Sequence, residues 1–392
     1  MIKRLHNLLL DWSLSATVAG FLAVIISYSG PLVIYFQAAN VAGVSYELTT
    51  SWVWAVSIGS AIAGIILSML YKIPIITAWS APGTVLLVSL FPDISLGEVV
   101  GAYILTGLVM IGIGWSGYFD KLLRLIPQSL AAGLMAGVLF QFGLRLFQVS
   151  EIAPILVFSM MVIFLITKRF APRYSIIWVM LGGLMISLML GKTDIGALSF
   201  NLGTPSFTWP EFSLFSFFNL TIPLIIVTLS GQFLPGMMMI RVSGFSSMSA
   251  KPVLIITGIV SVFVAFFGGI TIALASITAA LCLGKEAHIN SEKRYVAGVF
   301  NGVFYLLGAI FAGSIVTIFT IFPQEMIAAL AGLALLGAIG GNLSLAMKNE
   351  EEKEAALVAF LVTVSGVSFG GISSVLWGSV FGLVTYWALR KW

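Results

Sequence analysis

In a chain this apolar, the residues to read first are the polar and backbone-bending ones inside the apolar stretches. Between Ile73 and Thr84 come Pro74, a β-branched run, Trp79, and then Ser80, Ala81, Pro82, Gly83 and Thr84. A β-branched stretch after a proline reads as extended. Ser80 then has the chemistry of an N-cap, and Pro82 fits the first turn of a helix. That helix reaches only about half of a ~20-residue crossing before Phe91-Pro92-Asp93. A second stretch opens with Gly268-Gly269 and continues through Ile270, Thr271 and Ala273 toward Gly284-Lys285. The paired glycines permit non-helical backbone, and a short helix is expected to open at Gly269–Thr271. Free N–H groups and the dipoles at two such N-termini would make a positive site without any basic residue. A small anion, such as a carboxylate, suits it. Tyr28-Ser29 in the first apolar stretch and Gln232 in a later one supply side chains that could line the same space. The candidate substrate-binding set is therefore Tyr28, Ser29, Trp79, Ser80, Ala81, Gly83, Thr84, Gln232, Gly269, Ile270, Thr271 and Ala273. Tyr28 or Trp79 would stack on an aromatic ring. The competing reading is that Pro82 and the glycine pair only kink ordinary spans.

The elements that must position these residues follow from composition. The chain has 392 residues, 59% hydrophobic and 9% charged, and its mean hydropathy is +1.09. Soluble domains carry roughly 25% charged residues, so a soluble enzyme is excluded and an all-α integral membrane protein is expected. Fourteen apolar segments lie near 16–38, 50–70, 75–91, 97–117, 127–146, 153–167, 174–190, 218–240, 252–267, 269–283, 296–321, 325–346, 355–371 and 373–389. The first reads as a retained helix rather than a cleaved signal peptide. The aromatic-rich connection 191–217 reads as a surface segment. An even number of spans puts both termini on one side. If that side is the cytoplasm, it holds all but two of the 19 basic residues; Arg145 and Lys192 alone fall outside. The basic pI therefore reports orientation, and no nucleic-acid partner is expected.

Every one of the 15 acidic residues sits in a loop or at a span end. Carboxylate relays and rotary pumps need such groups inside the membrane. The histidines, His6 and His288, have no partner at metal-ligand spacing, and the single cysteine, Cys282, reads as a packed thiol. No nucleophile elbow or phosphate loop is present. No enzyme activity, metal or cofactor is expected. What remains is transport. The two interrupted segments occupy the third place in each seven-span half, and matched interruptions of this kind point to a transporter site.

The same residues resemble the bacterial benzoate membrane-transport (BenE) family over nearly the whole chain. The resemblance rests on Val33 to Ala39, on Thr77-Ala78-Trp79-Ser80-Ala81-Pro82-Gly83, on Ala171-Pro172-Arg173-Tyr174, on Pro235-Gly236, on Ile277 to His288, on Arg294 to Gly298, and on Gly302-Val303-Phe304-Tyr305. It implies the fold of nucleobase and anion transporters: two inverted seven-span repeats with half-helices in spans 3 and 10. Residues 1–126 and 218–323 would form a core domain, and 127–217 and 324–392 a gate domain. It also implies proton-coupled uptake of benzoate across the bacterial inner membrane, an elevator-like motion, and a homodimer formed through the gate. Two positions depart from the family pattern. Where members carry a histidine after the glycine pair and an asparagine three residues later, this chain has Ile270 and Ala273, which makes the expected pocket less polar. A passive anion channel or facilitator, an exporter, and a carrier of nucleobases or inorganic anions remain alternatives on the same fold.

Overall fold

Serines start many of the helices. Ser13, Ser45, Ser80, Ser95, Ser213 and Ser249 each accept a hydrogen bond from a backbone N–H of the following turn, satisfying donors that a helix leaves free. The computed structural model describes residues 8–119, 127–193, 196, 199–285, 287–367 and 374–389. His6, Lys3, Arg4, Asp120, Lys121, Arg124, Asp194, Glu286, Arg390 and Lys391, counted above, lie outside the described residues.

In chain order the helices are α1 (Leu14–Ser29), α2 (Pro31–Val41) and α3 (Tyr46–Tyr71), then strand β1 (Thr77–Trp79) and α4 (Ala81–Leu90). Next come α5 (Leu96–Ser116), α6 (Gln128–Ile152), α7 (Pro154–Phe170), α8 (Ser175–Met189) and α9 (Leu214–Arg241). The remainder are α10 (Ala250–Ala265), strand β2 (Ile272–Leu274), α11 (Ser276–Leu283), α12 (Tyr295–Ile310), α13 (Ala312–Thr320), α14 (Gln324–Ala346), α15 (Lys353–Ser365) and α16 (Ser374–Leu389). Among the described residues, six helical segments are long and apolar enough to cross a membrane, counting α1 and α2 together as Leu14–Val41, and seven if α12 and α13 are one bent span.

Two expected spans are interrupted and one expectation is corrected. The first span, 16–38, falls within one membrane-length segment, Leu14–Val41, with an interruption at Gly30, where Pro31 starts α2 and its missing N–H costs nothing. The eleventh, 296–321, bends by 69° between α12 and α13. The tenth does not open as a helix at Gly269–Thr271. Strand β2 comes first, and the helix starts at Ser276.

The reason lies in pairing across the chain. β1 and β2 form an antiparallel ladder in which Thr77 faces Leu274, Ala78 faces Ala273 and Trp79 faces Ile272. All six residues are buried. Buried backbone polar groups need partners, and the ladder supplies them reciprocally. Side chains satisfy its edges. Thr77 Oγ1 donates to the Ser60 carbonyl at 2.7 Å, and the Ile272 N–H donates to Ser261 Oγ at 2.8 Å. Just upstream, Gly268 turns with φ +77°, and a Cβ there would overlap the Trp52 indole. The Tyr35 hydroxyl donates to the Gly268 carbonyl at 2.7 Å and accepts the Ile270 N–H at 3.3 Å.

Around the ladder, α12 packs on α1 and α3, and α5 on α10. On the far side α6 packs on α14 and α15, and α15 on α16. The connection after α8 crosses the ends of the first group. The N–H of Gly203 donates to Ile310, that of Thr208 to Phe266 and that of Glu211 to Gly97, at 2.7–2.9 Å. Trp209 on this segment is 78% exposed.

Candidate functional site

Because the ladder is antiparallel, α4 and α11 leave it in opposite directions, and both N-termini turn toward it. They lie roughly 10 Å apart, the length of a three-residue strand. The two ends differ chemically. Ser80 caps α4: its Oγ accepts the Gly83 N–H at 3.2 Å, while its own N–H donates to the Thr271 carbonyl at 2.8 Å. Its hydroxyl also pairs with Thr228 Oγ1 at 2.8 Å. Ala275 precedes α11 and provides no side-chain cap, so the first N–H groups of α11 keep their capacity to bind an anion.

Beside the ladder stands an aromatic cluster. Trp79 is 1% exposed. Tyr28, in the last turn of α1, stacks on it with centroids 6.1 Å apart and planes at 22°. Tyr305 of α12 meets both rings edge-on, at 6.1 Å from Trp79 and 5.7 Å from Tyr28. The Tyr28 hydroxyl bonds Ser57 Oγ at 2.7 Å, and a Cβ at Gly308 would overlap it. Gln232 projects from a π-turn, 229–233, within α9. π-Bulges commonly mark functional positions. Its Nε2 lies 3.4 Å from the Trp79 carbonyl, a long and weak contact.

The cluster has unfilled hydrogen-bonding capacity. Trp79 Nε1, Gln232 Oε1 and Thr271 Oγ1 are buried with no partner among the described residues. An orphaned buried polar group costs about 1–3 kcal/mol, so such atoms are where a ligand's polar groups belong. Trp79 Nε1–H is a donor only, and a carboxylate oxygen would satisfy it. Which atom of Gln232 points inward is an assigned orientation; either supplies one further hydrogen bond. Aromatic faces supply the rest.

The structure brings Tyr28, Trp79, Ser80 and Gln232 together. Gly83 and Thr84 form the first turn of α4 behind Ser80, and Thr84 Oγ1 bonds back to the Ser80 carbonyl at 3.0 Å. Ala81 begins that helix. Thr271 sits against Ser80 through its carbonyl. Ala273 is in the ladder, opposite Ala78. Gly269 and Ile270 belong to the turn that Tyr35 fastens. They are not the start of a helix, so they do not supply the free N–H groups expected of them. Ser29 turns back on its own helix, donating to Ile26 at 3.3 Å. Sequence reasoning missed Tyr305 and Ser57 as members of this cluster. Their only local signal is a hydroxyl inside an apolar run.

A family model described as "BenE: Benzoate membrane transport protein" matches residues 10–388. The benzoate membrane transport protein of Acinetobacter baylyi is 55% identical over 391 residues, covering 100% of this chain and 99% of that protein. The inner membrane protein YdcO of Escherichia coli K12 is 38% identical, covering 95% of each. Among solved structures, the murine Slc26a9 anion transporter in its inward-facing state aligns with TM-score 0.64 at 14% identity. That alignment covers 97% of this chain and 68% of that one. It shows a shared transporter fold. The family is one of membrane transporters, not enzymes. The chain belongs to the benzoate membrane transport (BenE) family.

Proposed function

We propose that this protein carries benzoate, or a closely similar one-ring carboxylate, by proton-coupled secondary active transport into the bacterial cell. The observation that carries the reading is the pair of orphaned buried groups, Trp79 Nε1–H and Gln232 Oε1, beside the stacked rings of Tyr28 and Trp79. The ring of the acid packs against these aromatics. Its carboxylate takes the indole N–H and the free N–H groups at the start of α11. The Gln232 amide, turned with Nε2 inward, donates to the second carboxylate oxygen. The cluster contains no carboxylate or basic side chain, so the coupling proton joins the substrate itself: the anion binds and the acid crosses.

The name of the YdcO relative supports an inner-membrane location. The charge distribution supports fourteen membrane segments, counting α4 and α11 as half-crossings, with both termini in the cytoplasm. Residues 1–126 and 218–323 move as a transport unit against 127–217 and 324–392 in an elevator-like step. The second unit forms a homodimer contact.

Radiolabelled benzoate uptake into proteoliposomes tests this. Wild-type protein should concentrate benzoate only under an inward proton gradient. Gln232→Ala should raise KM about tenfold, the scale of one lost hydrogen bond to a charged ligand. Uptake that never exceeds equilibrium would favour a passive anion facilitator, the reading that the absence of titratable groups in the cluster also accommodates. No benzoate uptake at all would return nucleobases, inorganic anions and other carboxylates to consideration.

A further inference from the structure

Arg145 sits where two clefts meet. One, of about 250 Å³, lies between the flank of α4 at Val85 and Ser89 and the α6 residues Gln141 and Arg145. The other, of about 220 Å³, lies between Gln37 and Asn40 on α2 and Gln324 on α14. Gln37 and Arg145 line both, and neither cleft is lined by Tyr28, Trp79 or Gln232. Arg145 is the one charged residue in either lining. Its guanidinium makes no ion pair or hydrogen bond among the described residues. Gln37 is only 8% exposed, and its Oε1 has no partner. An exposed cation with no counter-charge stands beside a buried amide whose O and N ends are an assigned orientation, and with Nε2 turned into the cleft the two offer donors to an anion.

The elements here share one end of the molecule. The C-terminal ends of α2 and α6 meet the start of α14, at the end toward which α4 runs. In the basic-residue distribution this end faces away from the cytoplasm, and Arg145 is one of only two cations there.

We propose that the Arg145–Gln37 cleft is a second, outer site that captures the carboxylate of a one-ring organic acid before it passes to the aromatic cluster. The identity of the acid rests on the transport reading above; the anion site does not. The planar guanidinium can take a carboxylate through two parallel hydrogen bonds. The Gln37 amide, turned with Nε2 into the cleft, donates a third hydrogen bond, and Val85, Leu86 and Phe142 give the ring an apolar wall. Clefts of about 220–250 Å³ have room for a single ring. A charge at the mouth of a cleft raises local anion concentration and the capture rate, and salt screens it.

Phenylglyoxal modification of purified wild-type protein, read at the Arg145 peptide by mass spectrometry, tests the site without transport. Benzoate should slow labelling at Arg145 severalfold, and neutral benzamide should not. The protection should persist in Gln232→Ala, where the aromatic cluster is impaired. In uptake, Arg145→Gln should raise KM on the order of tenfold at low salt with Vmax held, and Arg145→Lys should recover part of the loss. Labelling that ignores benzoate overturns the outer site, whether or not the protein transports. Protection that vanishes in Gln232→Ala overturns it as well, because closure around the inner cluster would then be the cause. A wild-type protein that carries no benzoate but is protected at Arg145 overturns the transport reading and leaves the outer site standing.

Discussion

Trp79 belongs to the fold and to the proposed site. Its backbone belongs to the ladder, its ring stacks on Tyr28, and its indole N–H is left without a partner. Trp79→Phe keeps an aromatic face but removes that donor. The smaller ring leaves a void, for which about 1–2 kcal/mol of stability is lost. The larger effect falls on ligand binding, since a hydrogen bond to a charged group is worth about 1.5–3 kcal/mol. Benzoate uptake should show a KM at least tenfold higher, and the thermal shift that benzoate gives the wild type should largely disappear. An unchanged KM would remove Trp79 from the site. Tyr28, Trp79 and Gln232, which the structure brings together, stood out in the sequence because each is a polar group inside an apolar stretch. Ser57 and Tyr305 did not, since they qualify only once α1, α3 and α12 are packed together. Ile270 lies in the Tyr35-fastened turn, and Ala273 contributes its backbone to the ladder.

Among the elements, α4 depends most on a single residue. The Ser80 hydroxyl caps Gly83 and pairs with Thr228. Ser80→Ala removes the cap, worth about 1 kcal/mol, and also strands the buried Thr228 hydroxyl at a further 1–3 kcal/mol. Thr228→Val in the same chain removes the stranded group. The double variant should therefore be no less stable than Ser80→Ala alone, a sub-additive cycle that thermal unfolding in detergent would measure. Simple additivity would mean that the Ser80–Thr228 contact contributes nothing. The start of α4 was legible because Pro74, Ser80 and Pro82 are local signals. The start of α11 was not. Gly268-Gly269 mark a real turn, but the next residues are extended because their hydrogen-bond partners lie at Ile76 to Ser80, in the other half of the chain. The π-turn that presents Gln232 likewise has no short-range signature.

For the molecule as a whole, the end carrying Lys72 and Lys293 is tied together by Asp11. Its carboxylate lies 3.5 Å from Lys72 and 3.4 Å from Lys293, and it accepts the Tyr295 hydroxyl at 2.9 Å. Burial pushes its pKa up, but the bonds from Tyr295 and Lys293 and the charge of Lys72 outweigh that and hold it below the usual carboxylate value. A lowered folded-state pKa stabilises above the unfolded value near 3.9 and loses the contribution as pH falls through the folded one. Asp11→Asn should therefore cost up to about 1 kcal/mol at pH 7, in keeping with partly exposed pairs. The gap from wild type should close below about pH 4, read as converging melting curves; a gap unchanged at low pH would deny the linkage. At this scale the distribution of basic residues marked Arg145 as an exception without revealing the clefts beside it. The β1–β2 ladder, finally, has a consequence for biogenesis. At about 5–20 residues per second, the ribosome reaches β2 roughly 10–40 s after β1. Until then the backbone of Thr77–Trp79 has no ladder partner, and in lipid each such group costs several kcal/mol. The nascent first half must wait with that segment shielded by the insertion machinery or by water. The two halves of the gene product therefore complete their insertion together, as one event late in translation.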